Sequence, residues 1–393
     1  MHLSVPSSWL LVSLLLLASF SVPRSSAAVW PAALLNAPYS LLQRSARVLN
    51  FFPIPVSEEC SASDGRRKGV CLNAYECRIQ KGDSQGPCAL GFGVCCVFAV
   101  SCGAEVENNI SYFVNPGFPG LTTESKECSI KVKKMAPDVT QIRVDFLHFN
   151  VGQPNRRTGI CDSDTFRMTG GRSKDVNLCG QNTGQHLYFD VENIKEPITI
   201  SLNMSNSNIY RIWEIKVTQI EFNSRAPAGC HQYYTGGTGI IQTLNYAVNG
   251  RHLANQDYNI CIRQEEKMCS IVYEPCDENS FKIGPPLPSA DEAGSGDGAV
   301  EASNVQDDRL LCDDSIVMPC DTEDFIAPSG GSAGLCDLLH CGNTFCSASE
   351  GPCRIESSVK PFTIKVKFGP GTKEEDPEQN IGMCLKYEQQ ACT

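Results

Sequence analysis

The sequence predicts an all-β protein, in which a small disulfide-stapled knot is followed by two antiparallel β-sandwiches. One sign is the presence of 22 cysteines, an even number that suits disulfide pairing in an oxidising compartment. Another is a series of short segments that alternate apolar and polar residues, separated by clusters of glycine, proline and asparagine. Since no convincing helical pattern lies between these segments, a sandwich is the expected architecture.

The first 27 residues have the pattern of a secretory signal peptide. An apolar core from Trp9 to Phe20 is followed by small residues, with cleavage expected after Ala27. Residues 28–56 then form either a short amphipathic helix before a linker or a pro-segment cut after Arg47. The mature chain should therefore be secreted and extracellular, without a membrane span.

The formal net charge of -11 opposes binding to nucleic acid or to anionic lipid. All the cysteines lie after the expected cleavage site, where they are free to pair as disulfides. A metal cluster drawn from Cys336, Cys341, Cys346 and Cys353 with His340 follows no zinc-finger spacing. A disulfide-stapled loop is the preferred interpretation of that segment.

Residues 57–98 should form the small knot. A segment this short cannot bury a sufficient apolar core, so covalent crosslinks must hold it together. Its six cysteines are Cys60, Cys71, Cys77, Cys88, Cys95 and Cys96.

Within the knot, residues 82–87 spell GDSQGP, which resembles the nucleophile loop GDSGGP of trypsin-like serine proteases. A serine nucleophile needs a histidine base and an oxyanion hole. The only histidine before Ser84 is His2, in the expected signal peptide, and Gln85 replaces the glycine of the oxyanion-hole loop. We therefore expect an ordinary turn here, and no enzymatic activity in the chain.

Residues 99–224 should form the first sandwich. Every second residue is apolar from Ile198 to Met204, and Trp213, Ile215 and Val217 alternate in the same way. Strands at this spacing, separated by turn residues, are typical of an antiparallel sandwich.

Residues 228–393 form a second all-β region, which ends in a clean alternation from Phe362 to Phe368. An acidic stretch of small residues, 284–311, interrupts this region. Because such a stretch offers too little apolar surface to offset the entropy of ordering, we expect a flexible surface insertion.

The knot, which ends in the adjacent pair Cys95 and Cys96, resembles the clip module of arthropod extracellular proteins. The clip pairing implies that these residues are joined as Cys60–Cys95, Cys71–Cys88 and Cys77–Cys96. Clip modules commonly precede a trypsin-like protease domain, so the resemblance also implies clip-type proteases as candidate partners.

The first sandwich resembles a CUB domain, a jelly-roll-like β-sandwich of extracellular proteins. The matching features are NPGFP at 115–119, the strand IRVDFLHF, CDSDTF at 161–166 and LCG at 178–180. The CUB pattern implies the disulfides Cys102–Cys128 and Cys161–Cys179.

Many CUB domains bind calcium through a loop glutamate, an aspartate in the segment that contains Asp164, and an acidic residue on a late loop. Asp164 matches the second position and is the calcium candidate of this sequence. Arg156 stands at the place expected for the glutamate, and the late loop NMSNSNIY has no carboxylate. Because calcium needs several hard ligands with enough negative charge, we expect no calcium and no other cofactor.

The run QYYTGGTGIIQTLNYAVNGRHLANQDYNICIR resembles secreted arthropod proteins that join a clip-like segment to two CUB-like domains. The resemblance implies a second, divergent CUB-like jelly roll over residues 228–393. We expect Cys230 and Cys261, which enclose most of this run, to be disulfide-bonded, and a local bridge between Cys384 and Cys392. The pairing of the remaining cysteines of this region stays open.

Two further groups of residues are candidates for surface roles. Asn109 and Asn203 begin Asn-x-Ser sequons, which fit glycosylated surface loops. Tyr233, Tyr234 and Tyr246 lie among glycines, where exposed tyrosines make good protein or glycan contacts. Packing in a buried core is the alternative for these tyrosines.

Together these features predict a secreted, non-catalytic scaffold that binds other extracellular proteins, such as matrix components. The alternative is a cofactor or non-catalytic component of an extracellular serine-protease cascade in immunity or development. In that case the clip-like module would dock on a clip-type protease while this chain does no chemistry.

Overall fold

The computed structural model describes residues 59–205, 208–247, 250–286, 312–319, 339–346, 353–374 and 376–392. All of them belong to one compact unit, Phe52–Thr393. The expected signal peptide, the linker or pro-segment up to residue 56 and most of the acidic insertion at 284–311 lie outside the described residues. So do Cys320 and Cys336.

The first module is a four-stranded antiparallel sheet with one short helix. Asn73 begins the helix, because its side-chain oxygen accepts hydrogen bonds from the backbone N–H groups of Tyr75 and Glu76. The disulfides are Cys60–Cys95, Cys71–Cys88 and Cys77–Cys96, the same pairs that the clip resemblance implies. The elements are β1 (Glu59–Ser61), β2 (Lys68–Leu72), α1 (Ala74–Ile79), β3 (Asp83–Cys88) and β4 (Gly93–Val97), with sheet order β1-β2-β4-β3.

The GDSQGP segment is a strand, so the prediction of an ordinary turn is wrong. Its residues from Asp83 to Pro87 lie in β3, where Ser84 is exposed and pairs opposite Cys96 of β4. The pairing is irregular between Ser84 and Pro87, and Gly86 there has a φ of +120°, which favours glycine. The turn-forming residues therefore build a bulge inside a strand.

The second module is a sandwich of two five-stranded sheets, counted over the described residues. Phe146, Phe149 and Phe166 meet edge to face in its core, with ring centroids 4.8, 5.4 and 5.6 Å apart. The sheet orders are β11-β10-β13-β8-β6 and β12-β9-β14-β7-β5. The strands are β5 (Ala99–Val100), β6 (Glu105–Val106), β7 (Ile110–Val114), β8 (Glu127–Val132), β9 (Val139–Asn150), β10 (Asp164–Thr169), β11 (Val176–Leu178), β12 (His186–Asp190), β13 (Ile198–Met204) and β14 (Ile212–Glu221).

The third module is a second sandwich, with sheet orders β15-β17-β23-β20-β21 and β16-β24-β18-β22, and with β19 paired to β24. Phe362, Ile364, Val366 and Phe368 are all buried, as their alternation predicted. Its strands are β15 (Cys230–Tyr234), β16 (Thr238–Gln242), β17 (Asp257–Ile262), β18 (Met268–Pro275), β19 (Phe281–Lys282), β20 (Ser315–Val317), β21 (Leu339–His340), β22 (Ile355–Ser357), β23 (Thr363–Lys367) and β24 (Gly382–Ala391).

The all-β prediction is confirmed, and most strand pairs are antiparallel. Within the described residues, parallel pairing joins β5 to β7, β6 to β8 and β15 to β17. Each parallel pair brings in a strand at the edge of its sheet, so both sandwiches keep a mainly antiparallel centre.

The predicted local bridge between Cys384 and Cys392 is wrong. Cys384 is bonded to Cys276, and Cys392 is bonded to Cys269. Cys384 lies within β24 and Cys392 directly after it. Eight residues of extended strand span about 26 Å, far beyond the reach of one disulfide.

The other disulfides of the two sandwiches lie within single modules. They are Cys102–Cys128, Cys161–Cys179, Cys230–Cys261, Cys312–Cys341 and Cys346–Cys353. The first two are the pairs that the CUB resemblance implies.

Candidate functional site

The first module docks on the outer face of the β12-β9-β14-β7-β5 sheet. The Tyr112 hydroxyl donates to the Lys68 carbonyl at 2.9 Å and accepts from the Lys68 N–H at 2.6 Å. Arg67 forms an ion pair with the buried Glu214, with 2.7 Å between Nε and Oε1, and its guanidinium lies over the Tyr112 ring. Burial raises the pKa of Tyr112 to about 12. These contacts fix the module firmly against the sandwich.

Beside this contact lies an open cavity of about 820 Å³, which we call the inter-module groove. Its floor is the outer face of the sheet, including Arg143 and Lys216, and one wall is formed by Arg66 and Lys68 of the first module. Tyr188 also lines the floor. Two modules of the chain therefore build the groove together.

The charges of the inter-module groove are partly satisfied within it. Arg143 bonds Asp145, with 2.6 Å between Nη2 and Oδ1, and donates to the Tyr188 hydroxyl at 2.8 Å. Among the described residues, neither Arg66 nor Lys216 forms an ion pair. Glu221 also lines the groove without an ion pair, so the unpaired charges there are two positive and one negative, in a chain whose net charge is negative.

The two sequons lie on opposite sides of the first sandwich. Asn109 lines the inter-module groove and is half-buried. Asn203 is exposed on β13, where the alternate residues Leu202 and Met204 point into the core. Asn203 therefore belongs to the outer face of the sheet away from the groove.

The two sandwiches meet through a network of buried hydrogen bonds centred on Asn245. Its Oδ1 accepts from the Gln181 N–H at 2.7 Å, and its N–H donates to Asn182 Oδ1 at 2.8 Å. Its Nδ2 donates to the carbonyl of Arg251 at 2.8 Å. Gly180 allows this approach, since a Cβ there would lie 2.1 Å from Asn245 Oδ1. The second sandwich is therefore held in a defined orientation on the first.

The tyrosines predicted as exposed loop contacts are half-buried instead. Tyr233 and Tyr234 lie on β15, and their rings contact the first sandwich. The Tyr233 ring is 6.3 Å from Tyr188, and the Tyr234 ring is 4.9 Å from His186. Burial raises the pKa of Tyr234 and of Tyr246. Tyr233 and Tyr234 therefore pack against the neighbouring module, which favours the packing alternative for these two rings, and the contact role of Tyr246 stays a prediction.

Replacing Asn245 by alanine should lower the free energy of unfolding by about 2 kcal/mol, because buried donors and acceptors of both sandwiches lose their partners. Asn255→Ala is the matched control, since both asparagines have a left-handed backbone, with φ of +61° and +58°, but Asn255 is exposed. Urea unfolding of the two variants measures the difference. Equal losses would show that the side-chain bonds of Asn245 contribute nothing.

Asp164, the calcium candidate, is bound by Arg211 and by the backbone N–H of Gly152. Its carboxylate receives Arg211 Nε at 2.6 Å and Nη2 at 2.7 Å, and the Gly152 N–H at 2.6 Å. Both side chains are 0% exposed. Arg156, at the place of the expected glutamate, lies 3.7 Å from Glu378 of the second sandwich. These residues do not fit a calcium site.

The described residues of the candidate metal cluster form other bonds. Cys341 is bonded to Cys312, and Cys346 to Cys353, while a ring nitrogen of His340 lies 3.1 Å from a backbone carbonyl. Over the described part of the chain, no three histidine, cysteine or acidic side chains gather as metal ligands. The same part contains no helix that is long and apolar enough to cross a membrane.

Comparison with known proteins places both sandwiches in one domain class. Residues 102–217 match the model of the CUB domain, and residues 227–390 match the model of the animal CUB domain. No curated protein matches the chain.

Solved structures with a likeness to the chain include CUB-containing proteins. The CUB1-EGF-CUB2 domains of rat MASP-1 are 13% identical, covering 74% of this chain and 99% of their own, with a TM-score of 0.24. The MASP-1 CUB2 domain bound to Ca²⁺ is 18% identical, covering 30% of this chain and 98% of its own, with a TM-score of 0.25. The full extracellular region of zebrafish Gpr126/Adgrg6 is 13% identical, covering 73% and 36%, with a TM-score of 0.26.

Proposed function

Since the chain carries two CUB domains, we propose that it is a secreted, non-catalytic scaffold that binds other extracellular proteins in its inter-module groove. Ten disulfides among the described residues suit an oxidising, extracellular compartment. Ser84 is exposed on β3 and, among the described residues, forms no hydrogen bond with a histidine. The proposal therefore assigns no chemistry to the chain.

The observation that carries this proposal is the groove itself, built by two modules that are held in fixed relation. Arg67, Glu214 and Tyr112 lock the clip-like module onto the first CUB domain. A rigid surface loses little conformational entropy when a partner docks, so more of the contact energy appears as affinity. Because the unpaired positive charges of Arg66 and Lys216 outnumber the unpaired negative charge of Glu221 in the groove, the expected occupant is an acidic segment of a partner protein.

Reversing these charges in an Arg66→Glu/Lys216→Glu variant should weaken partner binding by about tenfold or more, because two attractions become repulsions. The immobilised full chain is exposed to extracellular fluid of the source organism, and the retained proteins are identified by mass spectrometry. Affinity for the retained partner is then measured for the wild type and the variant.

Lys131→Glu/Arg167→Glu is the matched control, since it makes the same charge change at two exposed residues on β8 and β10 of the opposite sheet, which form no ion pair among the described residues. The control should bind like the wild type. Equal binding by the groove variant and the wild type would show that the partner does not bind in the groove.

A second candidate function is a cofactor of an extracellular serine-protease cascade. It is favoured by the disulfides of the first module, which join the same cysteines as the clip pairing. A clip-type protease among the retained partners would favour this role, whereas matrix components would favour the structural one.

A further inference from the structure

Arg211 is a fully buried positive charge in the first CUB domain. It lies directly before β14, and its backbone forms a bridge with Thr122. A buried arginine stays charged and must be compensated by fixed partners. The oxygens that surround its guanidinium therefore define a permanent cation site.

At least four oxygens, from three segments of the described residues, face this guanidinium. Both oxygens of Asp164 accept from it, at 2.6 and 2.7 Å. Its Nη1 donates to the carbonyl of Ile209 at 2.9 Å and lies 3.4 Å from the carbonyl of Glu124. Carboxylate and carbonyl oxygens are also the ligands that calcium prefers.

We propose that Arg211 takes the place of a divalent cation in this domain. Its guanidinium neutralises Asp164 and ties together the segments of Glu124, Ile209 and Asp164. A calcium ion cannot bind these oxygens as well, because the guanidinium already donates to them and would repel the ion. The segments of Glu124, Ile209 and Asp164 stay tied together at any calcium concentration, since an arginine does not dissociate.

Thermal unfolding of the full chain in EDTA and in millimolar calcium tests this proposal. The wild-type midpoint should be the same in both. Arg211→Ala should have a lower midpoint in EDTA, and calcium should raise it, because the four oxygens are then free to hold the ion. Arg211→Ala/Asp164→Asn should be destabilised without any response to calcium.

Arg167→Ala is the matched control, since it removes an exposed arginine from β10 of the same domain and should behave like the wild type. A wild-type midpoint that rises with calcium, and no longer does so in Asp164→Asn, would overturn the proposal. So would an Arg211→Ala variant that folds and ignores calcium.

If Arg211→Ala does not fold, two other measurements still test the proposal. Calorimetric titration of the wild type with calcium chloride should show no saturable heat that Asp164→Asn removes. Arg211→Lys, which keeps the positive charge, should fold and stay indifferent to calcium. The proposal is contradicted by a saturable heat of calcium binding that depends on Asp164. It is also contradicted if calcium raises the unfolding midpoint of Arg211→Lys.

Discussion

Removing both disulfides that tie β18 to β24, Cys269–Cys392 and Cys276–Cys384, should unfold the second CUB domain. The two bridges are nested, with sequence separations of 123 and 108. With either one intact, the other closes only about 15 further residues and contributes about 3 kcal/mol on a chain-entropy argument. Losing both also opens the long loop, for a total of about 8 kcal/mol. That is comparable to the whole stability of a typical domain.

The measurement is urea unfolding of a variant with serine at all four positions, compared with the two variants that each lack one bridge. The single-bridge variants should stay folded and lose about 3 kcal/mol each. Peptide mapping of the oxidised wild type is the independent check. A peptide that joins Cys384 to Cys392 would contradict the nested arrangement, and so would additive losses in the four-serine variant.

Acidification should weaken the contact between the two CUB domains through His186. Its Nε2 accepts from the Tyr233 N–H at 3.1 Å, and burial, reinforced by the charge of Arg143, lowers the pKa of His186 to about 4. An unfolded chain has an ordinary histidine with a pKa near 6.5, so below that pH the unfolded state binds the proton first. The stabilisation is complete above pH 6.5 and falls by about 3 kcal/mol as the pH drops to about 4.

Urea unfolding of the wild type and of His186→Gln between pH 7.5 and 4 measures this loss. The variant should lose less stability over this range, because the titrating ring is gone. Burial also lowers the pKa of His231, at the second residue of β15, so part of the acid sensitivity should remain. Tyr188→Phe is the control, since it alters a neighbouring ring without removing an imidazole. If the wild type and His186→Gln depend on pH equally, His186 is not the cause.

The architecture was predictable because alternation depends only on local sequence. Runs such as Ile198 to Met204 and Phe362 to Phe368 carry their burial pattern in every second residue. The nested bridges were not predictable in this way. Their pairing depends on β18 and β24 being neighbours in one sheet, and more than a hundred residues separate the two strands.

The candidate site was found only in part. Asp164 was recognised as a key carboxylate, but its partner is 47 residues away in sequence, and no local motif joins them. One signal was present: Arg211 has the same parity as Trp213, Ile215 and Val217, and all four side chains are buried. An arginine that continues an inward-facing row of a strand indicates a buried ion pair.

For the tyrosines, the sequence left open whether they are exposed contacts or packed in a core. Glycines beside Tyr233 and Tyr234 suggested an exposed loop, whereas these residues form a strand that faces the first sandwich. The sequence of one module alone does not indicate which of its surfaces a neighbouring module covers. For the same reason the inter-module groove, whose lining residues run from Glu59 to Ser224, left no trace in any single segment.

The placement of the two sequons gives the molecule a sidedness. A carbohydrate chain on Asn203 would extend from the back of the first CUB domain and leave the groove accessible. One on Asn109 would stand at the groove itself and obstruct docking. Glycosylation of Asn203 is therefore compatible with partner binding in the groove, whereas glycosylation of Asn109 competes with it.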